Sequence, residues 1–381
     1  MADYDVAVVG AGVHGASAAY HLAERGLRTL VIESGHPADG PTTGRSSAIC
    51  RAFYTNEFLA EVAQGSLSVF ADFEAQVGGP AGFHRTGALF VHGAAEAADV
   101  TRAAAALRAA GIDVEVVSPD ALQRDHPAID IDGIAIAVWE PGAGYADPVL
   151  TTTSYVAAAR ARGAEVWLKC IVQGIEPGAV VTLRTTRGSL TADRVLVAAG
   201  PWTRELLATC DVEVLTHAER HVVATLDLRQ GLLPYVVADT VTGWYGKPEV
   251  GGRYVVGGLT PEQPVDVATV HERISDDEAL HYAALLVHRF PSLADCALTR
   301  GWAGVYDVSP DWQPIIGEVA TNVVIDCGSS GHGFKLAPVL GGYVAALVAG
   351  ERVEELDPFH PGRFAKGDEL SSGFGAARLL G

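Results

Sequence analysis

Asp5-Val6-Ala7-Val8-Val9 is an uninterrupted apolar run, the length of one strand buried on both faces. Gly10-Ala11-Gly12-Val13-His14-Gly15 follows at once, and Val13 to Arg25 then carries apolar residues at helical spacing. Gly26 closes that helix, and Thr29-Leu30-Val31-Ile32 is a second buried strand that stops at Glu33. Further on, Asn56 to Val77 places Phe58, Leu59, Val62, Phe70 and Phe73 at roughly helical spacing, the pattern of a core helix. Gly87 to His92 reads as a strand, Ala94 to Ala110 as a surface helix, and Ile134 to Trp139 as a strand ending in the turn-rich Glu140 to Tyr145. Asp147-Pro148 caps a helix, an acid at the N-cap and a proline at the first helical position.

Ala192 to Gly200 (ADRVLVAAG) has a charged entry, an apolar strand and small residues ending in glycine, which lets it pass close to a bound nucleotide. Residues 212–300 change character. Val222 to Leu226, Tyr235 to Val237 and Tyr254 to Val256 are short β runs between Gly/Pro turns, and Ser275 to Glu278 is a capping box opening a helix to Phe290. A mixed sheet with one covering helix is the expected second unit. From Gly301 the chain returns to the first pattern. Tyr306 to Gly317 is a turn-and-strand passage and Asn322 to Cys327 a buried strand, and Gly328 to Lys335 is a second glycine-rich strand-to-helix turn. The fold class is therefore α/β, a Rossmann-like nucleotide-binding domain joined to a mixed β-sheet domain.

Composition narrows the partners more than the fold. The chain has 381 residues, 49% hydrophobic and 19% charged, enough for two domains with ordinary cores. A net charge of -19 disfavours nucleic acid and anionic membranes. The N-terminus runs straight into the first strand, so no signal peptide is expected. Leu336 to Gly350, the longest uncharged apolar stretch, is interrupted by Pro338 and Gly341-Gly342 and is too short to span a bilayer. Five scattered cysteines show no metal-ligand spacing and fit reduced thiols, so a cytoplasmic protein without a metal site is expected.

The chemistry begins in the first turn. G-x-G-x-x-G between strand and helix is a dinucleotide fingerprint: Gly10 for the tight turn, Gly12 for approach of a pyrophosphate, Gly15 for packing of helix on strand. The diphosphate then rests on the helix N-terminus near Val13 and His14. Glu33, eighteen residues after Gly15, is placed to accept both ribose hydroxyls and repels a 2′-phosphate, which points to FAD or NAD rather than NADP. The loop Ser34 to Ser47 ends in Gly44-Arg45-Ser46-Ser47, donors suited to phosphate or a polar cofactor edge. Lys335 stands in the first turn of a helix, where the macrodipole disfavours a cation unless an anion binds.

Three stretches together, VVGAGVHG at Val8 to Gly15, ADRVLVAAGPW at Ala192 to Trp202 and SGHGFKLAP at Ser330 to Pro338, resemble the D-amino-acid oxidase/sarcosine oxidase superfamily of FAD enzymes. The resemblance is nearest to the monomeric sarcosine oxidase and glycine oxidase-like branch. It runs to Asp357 to Phe364 and implies an FAD domain built from three segments, 1–81, 146–211 and 301–364. Residues 82–145 and 212–300 would form a substrate domain roofing the flavin, and 365–381 a tail. It also implies a cofactor shell of Gly10, Gly12, Val13, His14, Gly15, Glu33, Ser34, Arg45, Ser46, Ser47, Val172, Gly200, Trp202, Gly304, Gly331, His332, Gly333, Phe334 and Lys335. Arg51 and Lys335 would clamp a substrate carboxylate, with Tyr306, Trp244 and Tyr245 lining the same pocket.

Departures from the family pattern sharpen the expectation. Gly304 stands where the sarcosine oxidases carry their flavin-linking cysteine, so FAD is expected to be non-covalent. Val256 stands at their oxygen-activating lysine and Thr260 at a pocket histidine. Lys247, flanked by Gly246 and Pro248, reads as a loop residue, so slow reaction with oxygen and another electron acceptor are expected. The implied activity is FAD-dependent oxidation of a C–N bond in an amino acid or N-alkyl amino acid, by a monomer or homodimer. A flavin monooxygenase would share the first unit but calls for a Gly-Asp pair where this chain has GHGFK. An NAD-binding dehydrogenase or module would leave ADRVLVAAG and GHGFK without a purpose.

Overall fold

Tyr4–Val9 is the centre of the first sheet. It pairs in parallel with Thr29–Ile32 on one side and Gly188–Val197 on the other. Thr29–Ile32 continues the parallel order to Glu165–Trp167, and Gly188–Val197 continues it to Val323–Cys327. In this register Val9 lies opposite both Ile32 and Val197, so three strands end level. The crevice beyond their carboxyl ends is where open α/β sheets hold ligands. The computed structural model describes residues 2–229, 233–371, 373, 374 and 380.

Helices Val13–Glu24, Pro148–Ala161 and Gly333–Val348 pack beside this sheet, and Asp147 caps the second as expected, accepting from Val149 N and Leu150 N. Pro338 lies inside Gly333–Val348, which remains one helix. Proline removes an amide there, and neighbouring hydroxyls take up the disturbed groups. Ser66 Oγ accepts from Val339 N and donates to Leu336 O, and Ser17 Oγ donates to Ala337 O at 2.7 Å. Among the described residues no helix is long and apolar enough to cross a membrane.

The second sheet is mixed. Ile136–Glu140, Ala88–His92, Val236–Asp239, Trp244–Glu249, Arg253–Gly258 and His217–Asp227 lie side by side in that order, with Ala297–Val308 on the outer edge of the last. Ala297–Val308 is continuous through residue 301 and pairs with His217–Asp227. The capping box at Ser275 is present and opens the covering helix Asp276–Arg289. Arg289 joins that helix to the sheet through a buried ion pair with Asp239 at 2.7 Å. Strand alternation then gives the sheet two destinations. Val222, Ala224, Trp244, Tyr254 and Val256 face the helix and form a core with Leu286. Tyr245, opposite Gly257, and Tyr306, opposite Glu219, face the first sheet.

A third, small sheet of Ile49–Cys50, Gly144–Tyr145 and His84–Arg85 stands between the two. The end of the chain packs on the body through Arg363 and, in the expected tail, through Leu370 and Phe374. Arg363 forms a bidentate pair with Asp311, Leu370 N donates to Asp311, and Phe374 stacks on Phe53 at 5.2 Å.

Candidate active site

The βα turn closes because two glycines touch. A Cβ on Gly15 would lie 2.1 Å from Gly10 O, and one on Gly10, whose φ is 102°, would lie 2.4 Å from Ala198 O. The crevice above this turn has a volume of about 710 Å³ and is lined by Gly10, Gly12, Val13, His14, Glu33, Ser34, Val172, Gly200 and Trp202 from the expected cofactor shell. Thr43 also lines it, and its hydroxyl accepts from Val13 N at 3.2 Å. Glu33 accepts from Ala11 N and Gly35 N, each at 2.7 Å, and from Ser34 Oγ at 3.0 Å. The carboxylate is thus oriented by the fingerprint's own backbone, with one of its roughly four acceptor sites left over.

Four buried polar atoms of crevice residues, His14 Nε2, Thr42 Oγ1, Asp307 Oδ1 and Asp326 Oδ1, have no hydrogen-bond partner among the described residues. Buried groups of this kind call for a polar ligand. His14 Nδ1 lies 2.8 Å from the other oxygen of Asp326. Burial, the largest single influence, lowers the His14 pKa, but the charge and hydrogen bond of Asp326, with Gly333 and Asp307, together leave it raised. A helix N-terminus carrying His14 beside Thr42 and Glu33 suits a molecule with both diphosphate and ribose. The residues present therefore fit FAD.

A second constellation lies between the small sheet and the start of Gly333–Val348. Arg51 and Lys335 are both buried. The Arg51 guanidinium lies 4.4 Å from the Tyr54 ring centroid and donates to Phe53 O, and Lys335 Nζ lies 5.9 Å from the same ring. Burial, then the Arg51 charge, holds the Lys335 pKa well below the usual lysine range. Glu140, which sequence reasoning treated only as part of a turn, is the carboxylate of this cluster. It accepts from Ala52 N at 2.6 Å and Phe53 N at 3.1 Å, and burial pushes its carboxyl up to about 7.

The second sheet closes over this region. Tyr245 OH lies 3.0 Å from Ser47 Oγ, and burial raises both its phenol and that of Tyr306. His221 stacks on Tyr306 at 3.9 Å and is held by Glu219, which also binds His217. Lys247 is not in a loop. It lies in the Trp244–Glu249 strand, on the Tyr245 face, with Nζ 2.9 Å from Glu249 and 4.0 Å from the Tyr145 ring centroid.

Several expected site residues go elsewhere. Trp244 points to the helix-covered core and packs edge-on against Phe290, so it does not line the Tyr245 pocket. Phe334 stacks on Phe70 at 5.5 Å in the helical core. Arg45 reaches across to Glu272 at 2.7 Å rather than into the crevice. Ser46 Oγ accepts from Ala48 N, a local turn bond. Gly331 (φ 80°) and Gly333 shape the turn before the helix, where His332 Nδ1 lies 3.4 Å from Tyr54 OH. A Cβ on Gly304 would meet Arg45 Cβ at 3.2 Å and Pro41 O at 3.3 Å, so this strand runs close over the 41–47 loop.

The family model described as DAO, FAD dependent oxidoreductase, matches residues 5–347. Monomeric sarcosine oxidase of Bacillus sp. (strain B-0618) is 28% identical over 368 residues, covering 92% of this chain and 93% of its own. N-methyl-L-tryptophan oxidase of Yersinia pestis (strain Pestoides F) is 26% identical, covering 93% of this chain and 97% of its own. The crystal structure of L-proline dehydrogenase from P. horikoshii superposes with a TM-score of 0.87 at 25% identity, covering 95% of this chain and 98% of that one. The chain belongs to the DAO family of FAD-dependent oxidoreductases.

Proposed function

We propose that this enzyme oxidises the C–N bond of a small amino acid, with a secondary, N-alkylated amine as the favoured class. The observation that carries this reading is the pair of buried cations, Arg51 and Lys335, brought from opposite ends of the chain to one tyrosine ring beside the cofactor domain. Two cations with little access to water suit one anionic group, and a substrate carboxylate supplies it. Sarcosine, N-methyl-L-tryptophan and L-proline, named in the three relatives above, are all N-substituted α-amino acids, which supports the same class.

When bound, FAD supplies the acceptor for the hydride that leaves the α-carbon. The chain's own residues bind and orient. Gly10, Gly12, His14, Glu33 and Thr43 would hold the dinucleotide, and with Gly304 offering no thiol the attachment is non-covalent. Arg51 and Lys335 fix the carboxylate and so place the α-carbon. Tyr245, tied to Ser47, and Tyr306, stacked on His221, close the pocket from above and exclude water. An amine bound neutral needs no further base, since its lone pair forms the C=N bond of a protonated imine as the hydride leaves, and that proton is lost only when the product is released and hydrolysed. Residues 1–81, 146–211 and 301–364 are read as the cofactor domain, except that the strand through Val308 belongs to the roof.

Two measurements test this. Acid precipitation should release all FAD into the supernatant, and flavin retained in the pellet would refute the non-covalent reading. An anaerobic screen of sarcosine, N-methyl amino acids, proline and glycine should bleach the flavin with at least one of them. If simple amines bleach it and no amino acid does, the substrate class is wrong.

A further inference from the structure

We propose that Glu140 is the positioning residue of the carboxylate site, holding the peptide units that follow Arg51 and supplying the counter-charge that lets Arg51 and Lys335 share one pocket. The inference rests on the carboxylate-clamp reading above. Glu140 ends the Ile136–Glu140 strand of the second sheet and is 1% exposed. Its two oxygens take the amides of Ala52 and Phe53, the two residues after Arg51. Phe53 is engaged twice, because its carbonyl accepts from the Arg51 guanidinium while its amide is held by Glu140. Any slack at Glu140 therefore passes through one peptide unit to the guanidinium.

The chain that follows Glu140 secures the other end of the same segment. Ala146 N donates to Ala48 O at 3.0 Å, and Ala48 sits in the left-handed region at φ 52°. A non-glycine residue keeps that conformation only where its surroundings impose it. Charge points the same way. The ionisable groups around Glu140 are Arg51, Lys335, Tyr54, Cys50 and Asp113, and burial keeps the Tyr54 phenol and the Cys50 thiol protonated. Among the described residues, Glu140 is the carboxylate whose charge bears on both cations, without a direct ion pair to either.

The test is a double-mutant cycle on FAD-loaded protein, titrating acetate as a redox-inert carboxylate and reading the perturbation of flavin absorbance. Glu140→Gln keeps the shape but loses the charge and one acceptor, and should weaken acetate by roughly tenfold to a hundredfold. Arg51→Met should weaken it at least as much, and the double variant should bind acetate no worse than Arg51→Met alone. Glu140→Asp, which keeps the charge, should recover part of the loss. It also serves in the same cycle should Glu140→Gln fail to hold FAD. Acetamide should show no dependence on residue 140. Wild-type acetate affinity in both Glu140 variants, or losses that simply add to that of Arg51→Met, would overturn the role of Glu140. Normal acetate binding by Arg51→Met would instead sink the carboxylate site itself.

Discussion

Replacing Gly15 by alanine tests whether the first turn is set by contact between its glycines. The new Cβ would lie 2.1 Å from Gly10 O, against an ordinary contact that begins at 3.4 Å, so about 1.3 Å (3.4 − 2.1) must be found. Gly10 cannot supply it. Its amide donates to Ile32 O at 2.8 Å, and its α-carbon already abuts Ala198 O. The helix Val13–Glu24 must move instead, although Ser17 ties it to Ala337. The bond from Ala11 N to Glu33, now 2.7 Å, would lengthen with it and the amides facing the crevice would turn away. Overpacking of this size costs about 1–3 kcal/mol. If most of it falls on the holo state, FAD affinity drops roughly tenfold to a hundredfold. Titration of apoprotein with FAD by flavin fluorescence gives the affinity, and melting curves with and without FAD give the stability. Gly26→Ala is the control, since its Cβ meets nothing within 4 Å but its φ is 79°, so it should lose stability and keep FAD affinity. A Gly15→Ala protein that binds FAD like the wild type would refute the argument.

Two further outcomes follow from the site. Glu33→Ala removes a carboxylate that already binds Ala11, Ser34 and Gly35, so it should weaken FAD by about 1–3 kcal/mol and also lower the apoprotein's melting temperature. Loss of FAD affinity with unchanged apoprotein stability would show that the backbone contacts carry no weight. The carboxylate site should also fail with rising pH earlier than an ordinary lysine allows. Burial holds Lys335 well below its usual range, and the anion needs the ammonium form, so affinity falls as pH rises through that lowered value. Acetate titrations above about pH 8, where Glu140 with its carboxyl at about 7 is ionised, should show the fall in wild type and none in Lys335→Met. A flat wild-type profile up to the ordinary lysine range would contradict the shift.

Local pattern was enough for elements that rest on local chemistry. The run Asp5 to Val9, the fingerprint and Gly26 define the first unit almost residue by residue, and Asp147 and Ser275 cap the helices they were expected to cap. The failures came where a distant partner decides. Arg45 looked like a phosphate donor because Glu272 is far off in sequence. Trp244 and Tyr245 were expected in one pocket although adjacent strand residues point to opposite faces, and that signal was present in the sequence. So was Glu140, an acid ending an apolar strand with nothing nearby to neutralise it.

The electron acceptor turns on which side of the roof a cation stands. Oxygen takes its first electron as superoxide, so a fixed positive charge at the flavin lowers that barrier. The family pattern puts the oxygen-activating lysine at Val256, which suggests that Val256→Lys would restore fast oxidation. The strand register argues against this. Val256 lies opposite Ala224 and Gly246 and is fully buried with Trp244, Tyr254 and Leu286 on the helix-covered face. A lysine there puts an unpaired ammonium in the roof's own core, at a cost of several kcal/mol, and on the far side of the sheet from Tyr245 and Tyr306. Val256→Lys should therefore melt at lower temperature and gain no oxygen reactivity. The pocket-side residue is Val255, opposite Lys247, whose charge is offset by Glu249 at 2.9 Å. With that pair nearly neutral at a distance, Lys247→Met should leave reoxidation slow, while Val255→Lys should speed it. Stopped-flow mixing of substrate-reduced enzyme with aerated buffer gives all four rates. Fast oxidation in the wild type that Lys247→Met slows would show that Lys247 carries the charge. Faster oxidation in a fully stable Val256→Lys protein would mean that the two faces of the Arg253–Gly258 strand have been assigned the wrong way round.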